Sequence, residues 1–166
     1  MYKIGDKVVY PMHGAGVIES IEEREVFGEI QKYYVMKMPL GDMKVMVPMA
    51  NVKEIGIRDI MDKKQADELI NNFKDIESDI ETNWNKRYRD NLAKIKNGNV
   101  YEVACVVKTL MCRDKLKGLS TGERKMLSNA KQILISEIVL ATGATHEDIE
   151  KILSGIIDEE VSVENK

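Results

Sequence analysis

The sequence contains few of the residues on which metal centres and disulfide-bonded scaffolds depend. Its 166 residues include two Cys and two His, and the cysteines, Cys105 and Cys112, are seven positions apart. On one helix that spacing corresponds to about 10 Å along the axis, which is too far for a disulfide bond. The Cys and His spacings also match no zinc-binding pattern. We therefore expect free thiols, with no bound metal and no cofactor.

Long apolar runs and targeting signals are also missing. The most apolar helical stretch, 133–141, is interrupted by Ser136 and Glu137 and is too short for a membrane span. The first ten residues, MYKIGDKVVY, lack the apolar core of a signal peptide. These absences predict a cytoplasmic protein without membrane contact.

The motifs of common enzyme classes are equally absent. Segment 118–123 has neither the length nor the Gly-Lys-Ser/Thr ending of a phosphate-binding loop, and no GxGxxG or GxSxG motif occurs. His13 lies in a predicted turn and His146 in the first turn of a predicted helix, so a catalytic triad would need two distant regions to meet. We expect a protein that is not an enzyme and has no small-molecule substrate.

Positive charge is concentrated in one part of the chain. The net charge is −3, but residues 84–131 contain 12 Lys/Arg and 4 Asp/Glu, a net charge of +8, which leaves −11 for the remainder. This segregation indicates a surface for a polyanion such as nucleic acid, although a solvated basic helical face would have the same composition. Residues 1–58 carry eight residues of each sign, which favours protein as their partner.

Up to about residue 58 the sequence predicts β-strands. Apolar and polar residues alternate in four segments separated by Gly- or Pro-containing turns. The segments are 7–10, 17–25, 30–38 and 43–47, and the turns are 11–16, 27–28 and 39–42. A short strand at Val52–Ile55 is expected to close the unit. Five short strands in fewer than 60 residues predict a small SH3- or Tudor-like barrel.

From residue 59 the apolar period becomes helical. Five helices are expected, with N-terminal capping signals at Asp62, Thr82, Asn99, Ser120 and Thr145. Their expected ends are at about residue 73, at the glycines 98, 118 and 143, and at about residue 158. The predicted class is therefore α+β, with a barrel domain at 1–58 and a helical domain at 59–166. The latter includes an acidic linker at about 74–81 and a frayed tail from about 159.

The second predicted helix begins with TNWNKRYR at 82–89, in which the only Trp is followed by three cations. Trp84 precedes Tyr88 by four positions, and on spacing alone this favours an aromatic that closes the helical core. The alternative is an outward indole that wedges against a base step while cations hold the phosphates. Those cations are Lys86, Arg87 and Arg89.

The fourth predicted helix adds further cations. Arg124 and Lys131 are seven positions apart, on a face that we expect to lie opposite Leu127 and Leu134, and Lys125 lies one step round. They are placed to continue a track of phosphate contacts. No set of side chains suggests bidentate reading of several bases, so we expect positioning and shape contacts without strong base specificity.

Three segments resemble the CarD (CdnL) family of bacterial transcription regulators. They are VVYPMHG at 8–14, TNWNKRY at 82–88, and GLSTGE at 118–123 followed by Met-Leu at 126–127. The resemblance runs in order from the N-terminus to about residue 158. It implies that the Tudor-like domain docks on the β-subunit lobe of RNA polymerase, partly through a strand edge. The helical domain would then contact promoter DNA at the upstream edge of the transcription bubble.

The resemblance also implies roles for individual residues in the helical domain. Trp84 would wedge into the minor groove and hinder closure of the bubble, which stabilises the open complex. Lys86, Arg89 and Arg124 match family cations that contact the DNA backbone.

On the docking side, Arg24 matches a family arginine. Met46 stands where relatives often have Arg, which indicates a more apolar contact with polymerase. We include Lys44 and Val47 in the same expected polymerase-binding surface. We expect a monomer. A stand-alone architectural DNA-binding protein and a protein-only adaptor are the alternative functions.

Overall fold

The computed structural model describes residues 1–39, 41, 43–78 and 82–164. An antiparallel sheet is followed by a helical region, so the predicted α+β class is confirmed. The strands are β1 (Lys7–Tyr10), β2 (Gly14–Val26), β3 (Glu29–Lys37), β4 (Lys44–Pro48) and β5 (Arg58–Asp59). They pair in the order β4-β3-β2-β1-β5.

The helices follow the sheet, apart from one short turn that precedes β5. They are α1 (Val52–Ile55), α2 (Lys63–Asn72), α3 (Trp84–Asn97), α4 (Val100–Leu116), α5 (Thr121–Thr142) and α6 (His146–Glu164). Short 3-10 turns occupy Met49–Asn51 and Phe73–Asp75. No helix in the described ranges is long and apolar enough to cross a membrane.

The turn between β1 and β2 lies directly against α5. β2 begins earlier than expected because Gly14 and Ala15 pair with Tyr10 and Val9, which shortens the turn. Gly14 has φ +105°, and a β-carbon there would lie 2.7 Å from Oγ of Ser136. Glycine therefore supplies both a left-handed backbone and the space for α5 to approach the sheet.

The strands β2 and β3 extend beyond β1 and β4 as a two-stranded ribbon. They pair as far as Val26 and Glu29, whereas the pairing of β2 with β1 stops at Val17. The turn at the ribbon's tip has φ +51° at Phe27 and φ +80° at Gly28, as a tight hairpin turn requires. The expected turn at 39–42 includes Leu40 and Asp42, which lie outside the described residues.

The strand expected at Val52–Ile55 is wrong, because these residues form the single helical turn α1. Gly56 ends that turn in the left-handed conformation, with φ +87°, and its N–H donates to the carbonyl oxygen of Val52 at 3.2 Å. The sheet is closed instead by β5, in which Arg58 and Asp59 pair with β1. Four residues are too few for alternation of apolar and polar residues to distinguish a strand from a helical turn.

Most of the expected helix starts and stops are confirmed. Asp62, Asn99 and Ser120 each accept hydrogen bonds from the first turn of their helix, and Gly143 ends α5. The N-cap of α3 is Asn83 rather than Thr82, since its side chain accepts from the N–H of Lys86. Asn caps helices at least as well as Thr, and sequence alone did not separate the two neighbours.

The expected frayed tail from about residue 159 is also wrong for the described part of the chain. Helix α6 continues to Glu164, and Val161 is only 9% exposed within the helical core. Lys108, which is buried, donates from Nζ to the carbonyl oxygens of Lys74 and Ile76 and lies 3.1 Å from Glu160. The buried Lys108 thus contacts both the start of the expected linker and the end of α6. Residues 79–81 and 165–166 lie outside the described ranges.

The sheet is fixed to the helices by a buried carboxylate on α5. Glu137 is 1% exposed and accepts two hydrogen bonds from the Arg58 guanidinium, at 2.8 and 2.9 Å, and one from the N–H of Met61 at 2.8 Å. One residue earlier, Oγ of Ser136 accepts from the N–H of Ala15 at 2.9 Å. These contacts set the position of the sheet relative to the helices.

We expect Glu137→Ala to lower the free energy of unfolding by about 3 kcal/mol, because it removes the carboxylate partner of Arg58 and Met61. Urea denaturation of the full chain measures the change. Glu68→Ala on the exposed face of α2 is the control and should stay within about 0.5 kcal/mol. A loss below 1 kcal/mol for Glu137→Ala would contradict this role for the contact.

Candidate nucleic-acid interface and sheet edge

Trp84 is neither a buried core residue nor a freely projecting side chain. It is the first residue of α3 and is 43% exposed. Its ring stacks on Tyr88, with the centroids 5.1 Å apart and an interplanar angle of 20°. Its Nε1 donates to Oγ of Ser120, the N-cap of α5, at 3.0 Å. The indole is therefore held by stacking and by a hydrogen bond, and part of its surface remains exposed.

Beneath the indole, a buried ion pair joins the first turns of α3 and α5. Arg87 is 2% exposed and Glu123 is 1% exposed. The guanidinium donates to both oxygens of Glu123, from Nε at 2.7 Å and from Nη2 at 3.0 Å. Hydrogen bonding to Arg87 holds the pKa of the Glu123 carboxyl below its usual value. This pair positions the two helix ends beside which Trp84 lies.

The assignment of Arg87 to phosphate contact is therefore corrected. Its guanidinium is buried against Glu123 and also donates to the carbonyl oxygen of Thr82, at 3.3 Å. Lys86 and Arg89, on either side in sequence, are exposed, as is Lys125 on α5. Of the three cations expected around Trp84, two have side chains at the surface.

Arg124 and Lys131 lie on one side of α5, seven positions apart. They line one groove together with Leu127, so the expectation that they face away from Leu127 is wrong. At 100° per residue, Arg124 is about 200° round the helix from Gly122, which borders the Trp84 and Tyr88 rings, but only about 40° from Ser120, which accepts the hydrogen bond from Trp84. Arg124 and Lys131 therefore lie on the Ser120 side of α5, about one turn and three turns beyond the Trp84 contact.

Several cations of the basic segment are paired with nearby carboxylates. Lys131 lies 2.6 Å from Glu150, and Arg124 lies 3.3 Å from Asp114. Lys115 and the buried Lys108 likewise pair with carboxylates of α6. The net charge of +8 in residues 84–131 is therefore not one continuous basic face, because the acidic α6 neutralises part of it.

On the sheet, strand register sorts the four residues expected to contact polymerase. Arg24 pairs with Gln31, Met46 with Val35 and Lys44 with Lys37, so these three lie on one face. Val47 points to the opposite face, where it is 1% exposed in the barrel core. The side chain of Val47 is therefore removed from the candidate surface.

The candidate surface of the sheet is itself partly charged. Arg24 is exposed with a weak 3.4 Å contact to Glu22, and Lys44 lies 3.0 Å from Glu19. Within the described ranges, β4 pairs only with β3 and its outer edge carries no further strand. An open edge of this kind is able to accept a strand from another chain.

Sequence reasoning missed the cross-helix roles of Ser120 and Glu123. The capping signal at Ser120 identified that residue as a local determinant of α5, and its Oγ does accept from the N–H of Glu123 at 3.2 Å. Their partners, Trp84 and Arg87, are 36 residues away in the chain. Spacing within either segment does not predict that segment 82–88 contacts segment 118–123. The one indication in the sequence was that both segments belong to the same family resemblance.

Comparisons with known proteins cover nearly the whole chain. The family described as "CarD-like/TRCF RID domain" matches residues 2–61, and "CarD, C-terminal domain" matches residues 68–154. A Bacillus subtilis (strain 168) protein named "Putative transcription factor YdeB" is 44% identical over 149 residues, which are 90% of this chain and 97% of that protein.

Among solved structures, the 72-residue N-terminal domain of Myxococcus xanthus CarD is 34% identical. The match covers 36% of this chain and 79% of that domain, with a TM-score of 0.32. The two family matches and the extent of the Bacillus relative confirm the resemblance noted in the sequence. The chain belongs to the CarD family of transcription regulators.

Proposed function

We propose that this regulator docks on the β-subunit lobe of RNA polymerase through its sheet and stabilises the promoter open complex through the start of α3. Residues 1–58 would supply the polymerase contact and residues 59–166 the DNA contact, in a monomer. The observation that carries the proposal is the half-exposed Trp84, which begins α3, is held by Tyr88 and Ser120, and is followed in the same helix by the exposed cations Lys86 and Arg89.

The chemistry of this helix end suits the upstream edge of a melted region. An exposed aromatic ring can occupy an unstacked base step, while neighbouring cations contact phosphates without reading sequence. The cations that we assign to this role are Lys86, Arg89 and Lys125. Arg124 would join them only if DNA competes with Asp114 for its guanidinium, and Lys131 only if DNA displaces Glu150.

Docking on polymerase is supported by the family and by the sheet. The match to a CarD-like/TRCF RID domain covers the whole sheet, and the open edge of β4 offers main-chain groups for a partner strand. Met46 and Arg24 lie on the same face of the sheet, with Lys44 beside Met46 on β4, so this face combines an apolar and a cationic contact.

Differential binding would give the regulatory effect without chemistry. Tethering to polymerase raises the local concentration of a weak DNA-binding surface, so few contacts are needed. If these contacts form better on melted DNA than on closed duplex, the open complex gains that difference in free energy and no more. A difference of about 1–3 kcal/mol corresponds to a shift of roughly five- to 150-fold in the equilibrium.

Trp84→Ala tests the wedge in the full chain. Because the indole is 43% exposed, we expect an unfolding free-energy loss of about 1–2 kcal/mol, below the 3–5 kcal/mol typical of a fully buried Trp. Polymerase affinity should be unchanged and the extension of open-complex lifetime should largely disappear. Tyr101→Ala, an exposed aromatic in the first turn of α4, is the control and should preserve the lifetime. A Trp84→Ala protein that still prolongs the open complex overturns the wedge assignment.

Lys86→Ala/Arg89→Ala tests the phosphate contacts. We expect weaker DNA contact across different promoter sequences and a flatter dependence on salt, with little change in stability. The adjacent Arg87→Ala should instead lower the unfolding free energy by about 3–5 kcal/mol, since it leaves Glu123 buried without its partner. DNA affinity at several salt concentrations, together with urea denaturation, distinguishes cations that contact phosphates from the buried Arg87, which stabilises the fold. A loss confined to one promoter would indicate base readout.

Arg24→Glu tests the docking surface. The side chain is exposed, so reversing its charge should cost little stability while weakening affinity for the isolated β lobe. Lys32→Glu, a neighbouring exposed cation on the opposite face of the same ribbon, is the control and should bind as the wild type does. Equal affinities for the two variants would remove the Arg24 face from the interface.

A further inference from the structure

We propose that Ser120 is a positioning residue for Trp84: its hydroxyl fixes the indole in the orientation that acts on DNA. This inference rests on the proposed function of Trp84 as a wedge. It goes further by assigning a role to a residue on a different helix, 36 positions away in the chain.

The hydroxyl of Ser120 is shared between α5 and the indole. Its Oγ accepts from the backbone N–H of Glu123 at 3.2 Å, as the N-cap of α5, and also from Nε1 of Trp84 at 3.0 Å. The same hydroxyl lies 3.3 Å from Oε1 of Glu123, to which it can donate its proton. One donor and two accepted bonds satisfy the hydroxyl fully.

The anchor for this hydroxyl is the buried ion pair. Glu123 is held by two hydrogen bonds from Arg87, and Arg87 is in the same helix as Trp84. The chain of contacts therefore starts at α3, crosses to α5 and returns to the indole of α3. A side chain closed into such a ring loses rotational freedom before it meets a ligand, which reduces the entropy lost on binding.

The contacts also decide which edge of the indole faces outward. Nε1 points to Ser120, and a β-carbon placed on Gly122 would lie 3.8 Å from Cζ2 of Trp84. The edge that carries Nε1 and Cζ2 therefore faces α5, while one face of the ring stacks on Tyr88. The opposite edge of an indole contains only carbon atoms, and this hydrocarbon edge is what the protein presents to a base step.

The experiment uses the full chain and its single Trp, whose fluorescence reports this site alone. Time-resolved anisotropy measures rotation of the indole, and open-complex lifetime is measured with polymerase and promoter DNA. For Ser120→Ala we expect a larger amplitude of fast indole rotation and a roughly two- to tenfold smaller extension of lifetime, the range expected for loss of one neutral hydrogen bond. Polymerase affinity should not change.

Loss of a helix cap alone must be separated from loss of the indole contact. Asn99→Ala removes the N-cap of α4 in the same helical core, where Oδ1 of Asn99 accepts from the N–H groups of Tyr101 and Glu102. Asn99→Ala should reduce stability about as much as Ser120→Ala, by roughly 1 kcal/mol, and should change neither the indole anisotropy nor the open-complex lifetime. Ser120→Thr keeps the hydroxyl and should give the wild-type anisotropy and lifetime.

A change in the indole itself isolates the hydrogen bond from the cap. Benzothienylalanine incorporated in place of the one Trp substitutes sulfur for the N–H group and leaves Ser120 and the α5 cap intact. We expect it to reproduce the Ser120→Ala effect, and to add nothing further in a Ser120→Ala background.

The possible outcomes separate this inference from the function on which it rests. Unchanged anisotropy in Ser120→Ala, or greater rotation with an unchanged lifetime, overturns the positioning role while the wedge stands. If Trp84→Ala itself leaves the lifetime unchanged, the proposed function fails, and the role of Ser120 in it fails too.

Discussion

Two buried carboxylates on α5 determine how this protein is held together. Glu123, in the first turn, pairs with Arg87 of α3; Glu137, 14 residues later, pairs with Arg58 of the sheet. At 1.5 Å per residue the two are about 21 Å apart along one helix. Helix α5 thereby connects the end of α3 that carries Trp84 with the sheet. The contacts proposed here, with polymerase through the sheet and with DNA beside Trp84, would need such a fixed separation.

Much of the fold followed from local patterns. Strand alternation, the turn at Phe27-Gly28 and the helix caps at Asn99 and Ser120 were predictable, because each depends on residues within a few positions of one another. The short turn α1 was mistaken for a strand since four residues define no period. The end of α6 was placed too early because its stabilising contact, Lys108 with Glu160, is long-range.

The candidate site was predictable in its residue types but not in its geometry. Composition located the basic segment, yet it could not show that Arg87 is buried or that carboxylates of α6 pair with Lys115 and Lys131. The same limit applied to Val47, whose inward position depends on strand register with β3. The net charge of a segment includes every charged side chain, whether buried, paired or exposed. A binding surface depends only on the charged side chains that packing leaves exposed.

The central claim is that the protein binds melted promoter DNA better than duplex, and its most direct test compares these two states. We would measure the affinity of the full-length protein for polymerase bound to a promoter with a pre-melted, mismatched bubble, and for polymerase held on the fully paired promoter in the closed state. We predict tighter binding to the pre-melted complex by roughly five- to 150-fold, matching a coupling of about 1–3 kcal/mol. Equal affinity for the two complexes would contradict it, since a ligand that binds both states equally shifts neither.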